Sequence, residues 1–292
     1  MSVERLGVVG GGLMGSGIAE VAARQQIDVV VIEVDDESAK RSLERIERSL
    51  ARGVRSRKLT EDDAHGALAR IQVVADFEAL RDRDAVVEAV VEDETTKLEV
   101  FRRLDRTVAG AEALLASNTS SIPIMKLASA TQRPEQVVGI HFFNPVPVMP
   151  LVELVPSLLT SPATLERAQV FAGTQLGKHV IRAKDRAGFI VNALLIPYIL
   201  SAIRMLESGF ATAEDIDTGM VDGCAHPMGP LALADLIGLD TTMAVAQSLY
   251  EEFKEPLYAP PPLLSRMCEA GLLGRKTGRG FYRYDEGTSQ HS

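Results

Sequence analysis

The chain has 292 residues, of which 46% are hydrophobic and 24% charged, as is typical of a folded globular protein with one or two domains. This balance excludes disordered, collagen-like and disulfide-scaffold proteins. Acidic side chains outnumber basic ones by 40 to 31, and the resulting net charge of −9 argues against a general binder of nucleic acids or anionic membranes.

The first 33 residues change their hydrophobic period twice. Residues 6–9 form a short apolar run typical of a buried strand, and a glycine cluster follows them. Residues 18–23 then have the apolar density of a helix, and residues 28–33 are rich in β-branched side chains. Together they predict one strand-helix-strand unit.

Five further apolar runs predict strands, with helical patterns between most of them. Because the runs are continuous and do not alternate with polar residues, we expect strands covered on both faces, as in a parallel sheet. The runs are residues 71–74, 85–89, 113–116, 137–141 and 178–181.

Residues 36–70 are highly charged and lengthen one connection of the predicted sheet. Thr60 and Asp63 have the spacing of a capping box, which predicts the start of a second helix there. We interpret the segment as a helical hairpin that stands off the sheet.

From about residue 188 onward only helical patterns remain. Residues 188–207 predict a long apolar helix kinked at Pro197, and residues 287–292 are expected to form a disordered tail. Three further helices, joined in part by a proline-rich connector at 260–262, are predicted at residues 212–220, 230–252 and 263–270. The fold class expected is therefore α/β: a Rossmann-like dinucleotide-binding domain with a mostly parallel sheet and a helical hairpin over residues 1–186, and an all-α domain over residues 187–292.

Several classes of protein and site are not supported. The longest apolar stretch, residues 189–200, is interrupted by Asn192 and Pro197 and is too short to span a bilayer, so no membrane association is expected. Glu4 and Arg5 stand where a signal peptide needs uncharged residues, which favours a cytoplasmic protein. The two cysteines lack CxxC spacing, so neither a disulfide framework nor a metal site is expected.

Residues 10–15 carry the GxGxxG pattern between a predicted strand and a predicted helix, which is the context a dinucleotide site requires. Gly10 would permit the tight turn, Gly12 the approach of a pyrophosphate to the backbone, and Gly15 close packing of helix on strand. The amide groups at the start of the helix would bind the phosphates. The alternative is that the glycines only form a turn.

Glu33 ends the second predicted strand. A carboxylate there would accept hydrogen bonds from the ribose hydroxyls and repel a 2′-phosphate, so NAD is expected rather than NADP. Asp35 and Asp36 lie close by and are alternatives for this role, in which case Glu33 is a solvated strand end.

Of the five histidines, His141 and His226 are the candidates for acid-base chemistry. His141 ends a predicted strand, where open α/β sheets bind their ligands. Glu153 lies alone in an apolar segment, and a carboxylate there is costly unless it is paired. A His141–Glu153 pair would fix the imidazole tautomer and suit removal of a hydroxyl proton while hydride leaves the same carbon. The alternative is a structural ion pair or a core histidine.

Two further polar residues are candidates for binding a substrate oxygen. Ser120 follows a predicted strand, and Asn192 interrupts an apolar helix, where an unpaired amide costs roughly 1–3 kcal/mol. Alternatively, Ser120 caps a helix that begins near Ile122, and Asn192 bonds within the helical domain.

Taken together, the motifs resemble the L-3-hydroxyacyl-CoA dehydrogenase family, in particular its short bacterial 3-hydroxybutyryl-CoA members. The resemblance runs from about residue 6 to residue 284. The segments that carry it are GGGLMGSGIA at 10–19, VVED at 90–93, SNTSS at 117–121, HFFNPVP at 141–147, FIVN at 189–192, HPMGP at 226–230 and GRGFY at 278–282.

The resemblance implies that His141 is the catalytic base, that Glu153 is its partner, and that Ser120 and Asn192 contact the reacting oxygens. It further implies that Ser49 and Lys58 of the hairpin hold CoA, although the spacing there differs. Without it, Glu92 and Lys97 would be a strand end and a solvated helix face. The positions implied at the NAD cofactor are Gly10, Gly12, Leu13, Met14, Gly15, Glu33, Ala89, Glu92, Lys97, Asn118, Ser120, His141 and Asn144.

The function implied is reversible, NAD-dependent oxidation of the 3-hydroxyl of an L-3-hydroxyacyl-CoA such as 3-hydroxybutyryl-CoA, by a homodimer associated through its helical domain. One alternative is a dehydrogenase of the same fold that acts on a carrier-protein thioester or on a free hydroxy or sugar acid. If the substrate is a CoA ester, neutralising Arg55, Arg57 and Lys58 should lower the affinity for CoA, which would distinguish it from these alternatives. A second alternative is a dinucleotide-binding protein without catalysis.

Overall fold

A computed structural model describes residues 2–284, so the predicted tail at 287–292 lies outside the described residues. The chain divides between Arg186 and Ala187 into two compact units. The first unit contains β1 (Arg5–Val9), α1 (Leu13–Arg24), β2 (Asp28–Ile32), α2 (Asp36–Arg55), α3 (Glu61–Leu68), β3 (Ile71–Val74), β4 (Ala85–Glu88), α4 (Glu94–Thr107), β5 (Leu114–Ser117), α5 (Ile124–Ser129), β6 (Val137–Phe142), β7 (Leu151–Pro156), α6 (Pro162–Gln169) and β8 (His179–Arg182).

The eight strands form one sheet in the order β3-β2-β1-β4-β5-β6-β7-β8. Every neighbouring pair is parallel except β6 and β7, which are antiparallel. The central strands β4, β5 and β6 are buried along their whole length, which explains their continuous apolar runs. At the C-terminal ends of these strands the chain passes into the loops that carry the polar candidate residues.

The hairpin of α2 and α3 does not stand off the sheet, so that expectation was wrong. Its apolar stripe packs on α1 and β3, and Ile46 and Leu50 are buried in the core of the first unit. Burial of such a stripe stabilises a helix that is otherwise mostly charged. The predicted capping box is present, because Thr60 Oγ1 accepts from the Asp63 amide and the Asp63 carboxylate accepts from the Thr60 amide.

β7 was absent from the predicted strands. It follows β6 after a loop of eight residues, 143–150, and pairs with it from Val138↔Pro156 to Phe142↔Val152. Its apolar residues Val152 and Leu154 face the same core as Ile140 and Phe142, whereas Glu153 points to the opposite face.

The second unit is helical, and its core forms around residues such as Ile199, Leu231 and Leu249. Its helices are α7 (Val191–Glu207), α8 (Ala213–Cys224), α9 (Pro230–Ile237), α10 (Leu239–Phe253) and α11 (Pro262–Glu269). The mostly parallel sheet and the helical second unit confirm the predicted fold class. None of the helices within residues 2–284 combines the length and the hydropathy needed to cross a membrane.

Two predicted helix boundaries in this unit were wrong. The first helix begins at Val191, because Gly188 and Phe189 adopt positive φ angles of 75° and 47°, outside the right-handed helical region. The helix predicted over residues 230–252 is two helices, since Gly238 has a φ of 101° and separates α9 from α10. Glycine adopts this conformation without the steric cost that other residues incur.

Candidate active site

The glycine-rich loop connects β1 to α1 and has the local geometry that the motif predicts. Gly10 has a φ of 92°, and a Cβ there would lie 2.8 Å from the carbonyl oxygen of Ala89. A Cβ on Gly15 would overlap the Gly10 carbonyl. A Cβ on Gly12, in contrast, would meet no atom within 4 Å, so the first turn of α1 is open to a ligand. The loop can therefore present its amides to a pyrophosphate.

The helical hairpin holds this loop in place, which the sequence did not indicate. The carbonyl oxygen of Gly11 accepts from Ser16 Oγ of α1 at 2.7 Å, from Ser42 Oγ and from Arg45 Nη1 at 2.7 Å. Ser42 and Arg45 both lie on α2. The hairpin therefore helps to position the glycine-rich loop through two of its side chains.

The Glu33 carboxylate follows the end of β2 and accepts a hydrogen bond from the Gly11 amide at 2.9 Å. Its neighbour Asp35 caps α2, and the hydrogen bond from the Ser38 amide lowers the pKa of Asp35 below its ordinary value. Asp36 lies exposed in the first turn of the same helix. Of the three carboxylates, Glu33 is therefore the one placed against the glycine-rich loop.

The remaining positions implied at the cofactor lie in the loops around these strand ends. Leu13 is the largely exposed first residue of α1, and Met14, next to it, is half-buried. Ala89 directly follows β4, and its amide donates to the carbonyl oxygen of Val9 at 2.8 Å. Asn144 is exposed in the loop that follows β6.

His141, Glu153 and Ser120 form one hydrogen-bonded chain. His141 Nδ1 lies 2.8 Å from Glu153 Oε2, and His141 Nε2 lies 3.2 Å from Ser120 Oγ. The Glu153 side chain is fully buried and the His141 side chain is 6% exposed. The ring of Phe143 lies 4.7 Å from the imidazole, centroid to centroid, and covers part of it.

The strand register brings this pair together. His141 of β6 and Glu153 of β7 are directly opposed across the antiparallel pair, where side chains on one face lie close to each other. Because a carboxylate can only accept, Nδ1 is the donor and Nε2 keeps its lone pair. Nε2 can therefore take a proton from a hydroxyl group within hydrogen-bond distance.

Ser120 is not a helix cap, so that interpretation was wrong. The helix that follows it begins at Ile124, and the amides of Ile124 and Met125 donate to the Asp185 carboxylate at 2.7 Å each. The Ser120 hydroxyl lies beside His141 instead. Nearby, Asn118 Oδ1 accepts from the Phe142 amide at 2.9 Å and ties the end of β5 to β6.

The surroundings of Lys97 in the sequence suggested a solvated helix face, but in the structure this lysine is buried. Its side chain is 1% exposed, and its Nζ lies 2.6 Å from Glu88 Oε1 and 3.3 Å from Glu92 Oε2. Partial burial raises the pKa of Glu92, but the charge of Lys97 and hydrogen bonds from residues 119–121 outweigh it and hold this pKa below its ordinary value. Glu88 was not predicted as a site residue, although it lies within the run 85–89 that predicts a buried strand, where a carboxylate is costly unless it is paired.

The other candidates lie on other elements. Ser49 of α2 is half-buried, and Lys58 is exposed in the turn after α2. In the helical unit, Asn192 is the second residue of α7 and so lies at the start of the helix. His226, the second histidine candidate, has its Nδ1 3.1 Å from the Tyr198 hydroxyl in the same unit.

Comparison with known proteins accounts for both units. Residues 5–186 match the family 3-hydroxyacyl-CoA dehydrogenase, NAD binding domain, and residues 188–284 match the 3-hydroxyacyl-CoA dehydrogenase, C-terminal domain. The chain belongs to the 3-hydroxyacyl-CoA dehydrogenase family. This confirms the predicted family, the enzyme class of NAD-dependent oxidoreductases and the NAD cofactor.

Similar family members cover almost the whole chain. The chain is 57% identical over 283 residues to a 3-hydroxybutyryl-CoA dehydrogenase of Mycobacterium tuberculosis, with 97% of this chain and 99% of that protein covered. The crystal structure of FadB2 from M. tuberculosis has a TM-score of 0.97 and 56% identity, covering 98% of this chain and 100% of that one. The (S)-3-hydroxybutyryl-CoA dehydrogenase PaaH1 of Ralstonia eutropha has a TM-score of 0.91 and 45% identity, with coverage of 98% and 100%.

Proposed function

We propose that this 3-hydroxyacyl-CoA dehydrogenase interconverts L-3-hydroxybutyryl-CoA and acetoacetyl-CoA. The observation that carries the proposal is the hydrogen-bonded chain of Ser120, His141 and Glu153 at the C-terminal edge of the sheet. Relatives that carry the 3-hydroxybutyryl-CoA name, at 57% and 46% identity, support the choice of substrate.

The residues at the glycine-rich loop fit NAD. The open space at Gly12 suits a pyrophosphate, and the Glu33 carboxylate suits ribose hydroxyls. When bound, NAD supplies the acceptor for the hydride that leaves C3 of the substrate. We assign Ala89, Asn118 and Asn144 to its surroundings, as the family resemblance implies.

In this mechanism His141 Nε2 accepts the proton of the 3-hydroxyl group as the hydride leaves. The buried Glu153 carboxylate stabilises the positive charge that develops on the imidazole and keeps Nδ1 protonated. The Ser120 hydroxyl donates a hydrogen bond to the reacting oxygen. In the reverse direction the imidazolium returns the proton to the 3-keto oxygen. Asn192 remains a predicted substrate contact from the sequence.

The test compares turnover of acetoacetyl-CoA, its acyl-carrier-protein ester and free acetoacetate with NADH. We expect the CoA ester to be preferred, and His141→Ala to lower kcat by about 10²-fold or more, the size expected for loss of general acid-base catalysis. The matched control is His179→Ala, which changes an exposed histidine at the start of β8. Near-normal turnover by His141→Ala would exclude this histidine as the base.

We also propose that CoA binds along the hairpin, through Ser49 and the exposed cations Arg55, Arg57 and Lys58. Neutralising the three cations together should raise the KM for acetoacetyl-CoA but leave the KM for the N-acetylcysteamine thioester, which lacks the CoA phosphates, unchanged. An equal rise in both KM values would contradict CoA binding at the hairpin.

We propose further that the protein is a cytoplasmic homodimer that associates through its helical unit. The apolar side chains of Leu194, Phe210 and Leu236 are each exposed in this unit, and the family resemblance implies association through it. Leu194→Glu should shift the sedimentation coefficient from that of a dimer to that of a monomer. An unchanged sedimentation coefficient in this variant would contradict the assignment of this surface.

A further inference from the structure

Close to the Ser120 loop lies a cluster of three charged side chains, Glu88, Lys97 and Glu92, which we call the Glu-Lys-Glu cluster. Lys97 Nζ bridges the two carboxylates at 2.6 Å and 3.3 Å. Glu88 is fully buried and the Glu92 side chain is 34% exposed. Residues of β4, of the loop after it and of α4 therefore meet at one point beneath the Ser120 loop.

Both carboxylates of the Glu-Lys-Glu cluster bind the segment that carries Ser120. Glu88 Oε2 accepts from Ser117 Oγ at 2.6 Å, at the end of β5. Glu92 Oε1 accepts from the amides of Ser120 at 2.9 Å and Ser121 at 3.1 Å. The same oxygen also accepts from the hydroxyls of Thr119 and Ser121. One carboxylate oxygen thus gathers the donors of three consecutive residues.

The cluster holds two carboxylates for one ammonium group, which is costly in a buried place unless hydrogen bonds satisfy the additional charge. Those bonds come from the Ser120 loop and from the Val90 amide, which donates to Glu88 Oε1 at 2.7 Å. The lowered pKa of Glu92 has the same origin, because the charge of Lys97 and these hydrogen bonds outweigh the burial that would raise it. The conformation of the loop and the charge of Glu92 therefore depend on each other.

We infer that Glu92, which is bound by Lys97, is a positioning residue that fixes the Ser120 hydroxyl against His141 Nε2. The family resemblance places Glu92 near the cofactor, whereas these contacts assign it a role that acts through Ser120. The inference rests on the proposed function, since it concerns the serine that contacts the reacting oxygen. It predicts that Glu92 affects turnover only while Ser120 is present.

A double-mutant cycle tests this dependence. Glu92→Ala removes the acceptor of the loop donors, and kcat should fall by about tenfold, the range of one lost hydrogen bond. Glu92→Gln keeps one acceptor oxygen, so we expect it to restore part of that loss. In Ser120→Ala, adding Glu92→Ala should lower kcat by no more than about twofold, because the two changes remove the same interaction. The inference would be overturned if the two substitutions lowered kcat by independent factors that multiply in the double variant. It would also be overturned if Glu92→Ala weakened NADH binding and left kcat unchanged.

The matched control is Glu94→Gln, two residues further along the chain. Glu94 forms an exposed ion pair with Lys126 at 2.7 Å and contacts none of the Ser120 loop residues through it. Exposed pairs of this kind contribute little, so kcat and stability should stay unchanged. A loss in Glu94→Gln equal to that in Glu92→Ala would show that any carboxylate lost near α4 has the same effect, and would overturn the inference.

A spectroscopic readout separates this inference from the proposed function. In protein labelled with ¹⁵N-histidine, His141 is identified by the signal that is lost in His141→Ala. Ser120→Ala should change the ¹⁵N chemical shift of His141 Nε2, and Glu92→Ala should change this shift in the same direction. If the unmodified protein fails to turn over any 3-ketoacyl-CoA, the proposed function is wrong. If only Ser120→Ala moves the Nε2 signal, the positioning role of Glu92 is wrong, whatever the substrate is.

Discussion

Removing the charge of Glu153 while keeping its shape should slow turnover without affecting cofactor binding. In Glu153→Gln the amide oxygen can still accept from His141 Nδ1, so the tautomer and the ring orientation are retained. What is lost is a charged partner 2.8 Å from the ring nitrogen, in a place where the carboxylate has no exposure to water. The variant therefore isolates the electrostatic contribution of the pair.

The magnitude follows from the geometry. Two unit charges about 4 Å apart at an effective dielectric constant of about 20 interact by about 4 kcal/mol. If proton transfer is about half complete in the transition state, the imidazole carries about half a unit of positive charge, and Glu153 supplies about half of this stabilisation. A charged hydrogen bond exceeds a neutral one by a similar amount, about 1–2 kcal/mol. We therefore expect kcat to fall by about 10- to 30-fold.

The assay follows NADH absorbance with acetoacetyl-CoA and, in the reverse direction, with L-3-hydroxybutyryl-CoA and NAD. Because a variant cannot change the overall equilibrium, kcat/KM should fall by the same factor in both directions. Glu166→Gln on the exposed side of α6 is the matched control. A loss of less than about threefold in a stably folded variant, below the range computed from the charge, would refute the electrostatic role. Selective loss of NADH affinity would instead make Glu153 a cofactor residue.

Three further predictions concern the glycine-rich loop and the Glu-Lys-Glu cluster. Gly15→Ala should abolish NADH binding in a fluorescence titration and lower stability by about 1–3 kcal/mol, because its Cβ overlaps the Gly10 carbonyl; retained binding would show that the loop adapts. Glu33→Ala should raise kcat/KM for NADP relative to NAD, because it removes the carboxylate that repels the 2′-phosphate, and an unchanged ratio would refute its role. The pKa of Glu92 is lowered in the folded protein, so its contribution to stability is complete above the ordinary pKa of a glutamate and is lost as the pH falls through the lowered value. Urea midpoints measured across this acidic range should therefore fall less steeply for Glu92→Gln than for the unmodified chain, and identical slopes would contradict the lowered pKa.

Much of the fold was predictable because its determinants are local. The glycines of the β1–α1 loop are required by a positive φ angle and by close approach of backbone, and both leave a mark in a few consecutive residues. The Thr60–Asp63 capping box is local in the same sense. Strands buried on both faces are continuously apolar, so their positions were predictable to within a residue or two.

The sequence by itself thus determined where the sheet, the glycine-rich loop and the histidine at a strand end would be. Only the tertiary structure decided that β7 runs antiparallel to β6, and this register is what places Glu153 opposite His141. It also decided that Lys97 is buried between two carboxylates, although its helix is charged. The physical reason is the same in both cases: pairing of distant strands and desolvation of a charge depend on neighbours far away in sequence, which no local pattern specifies.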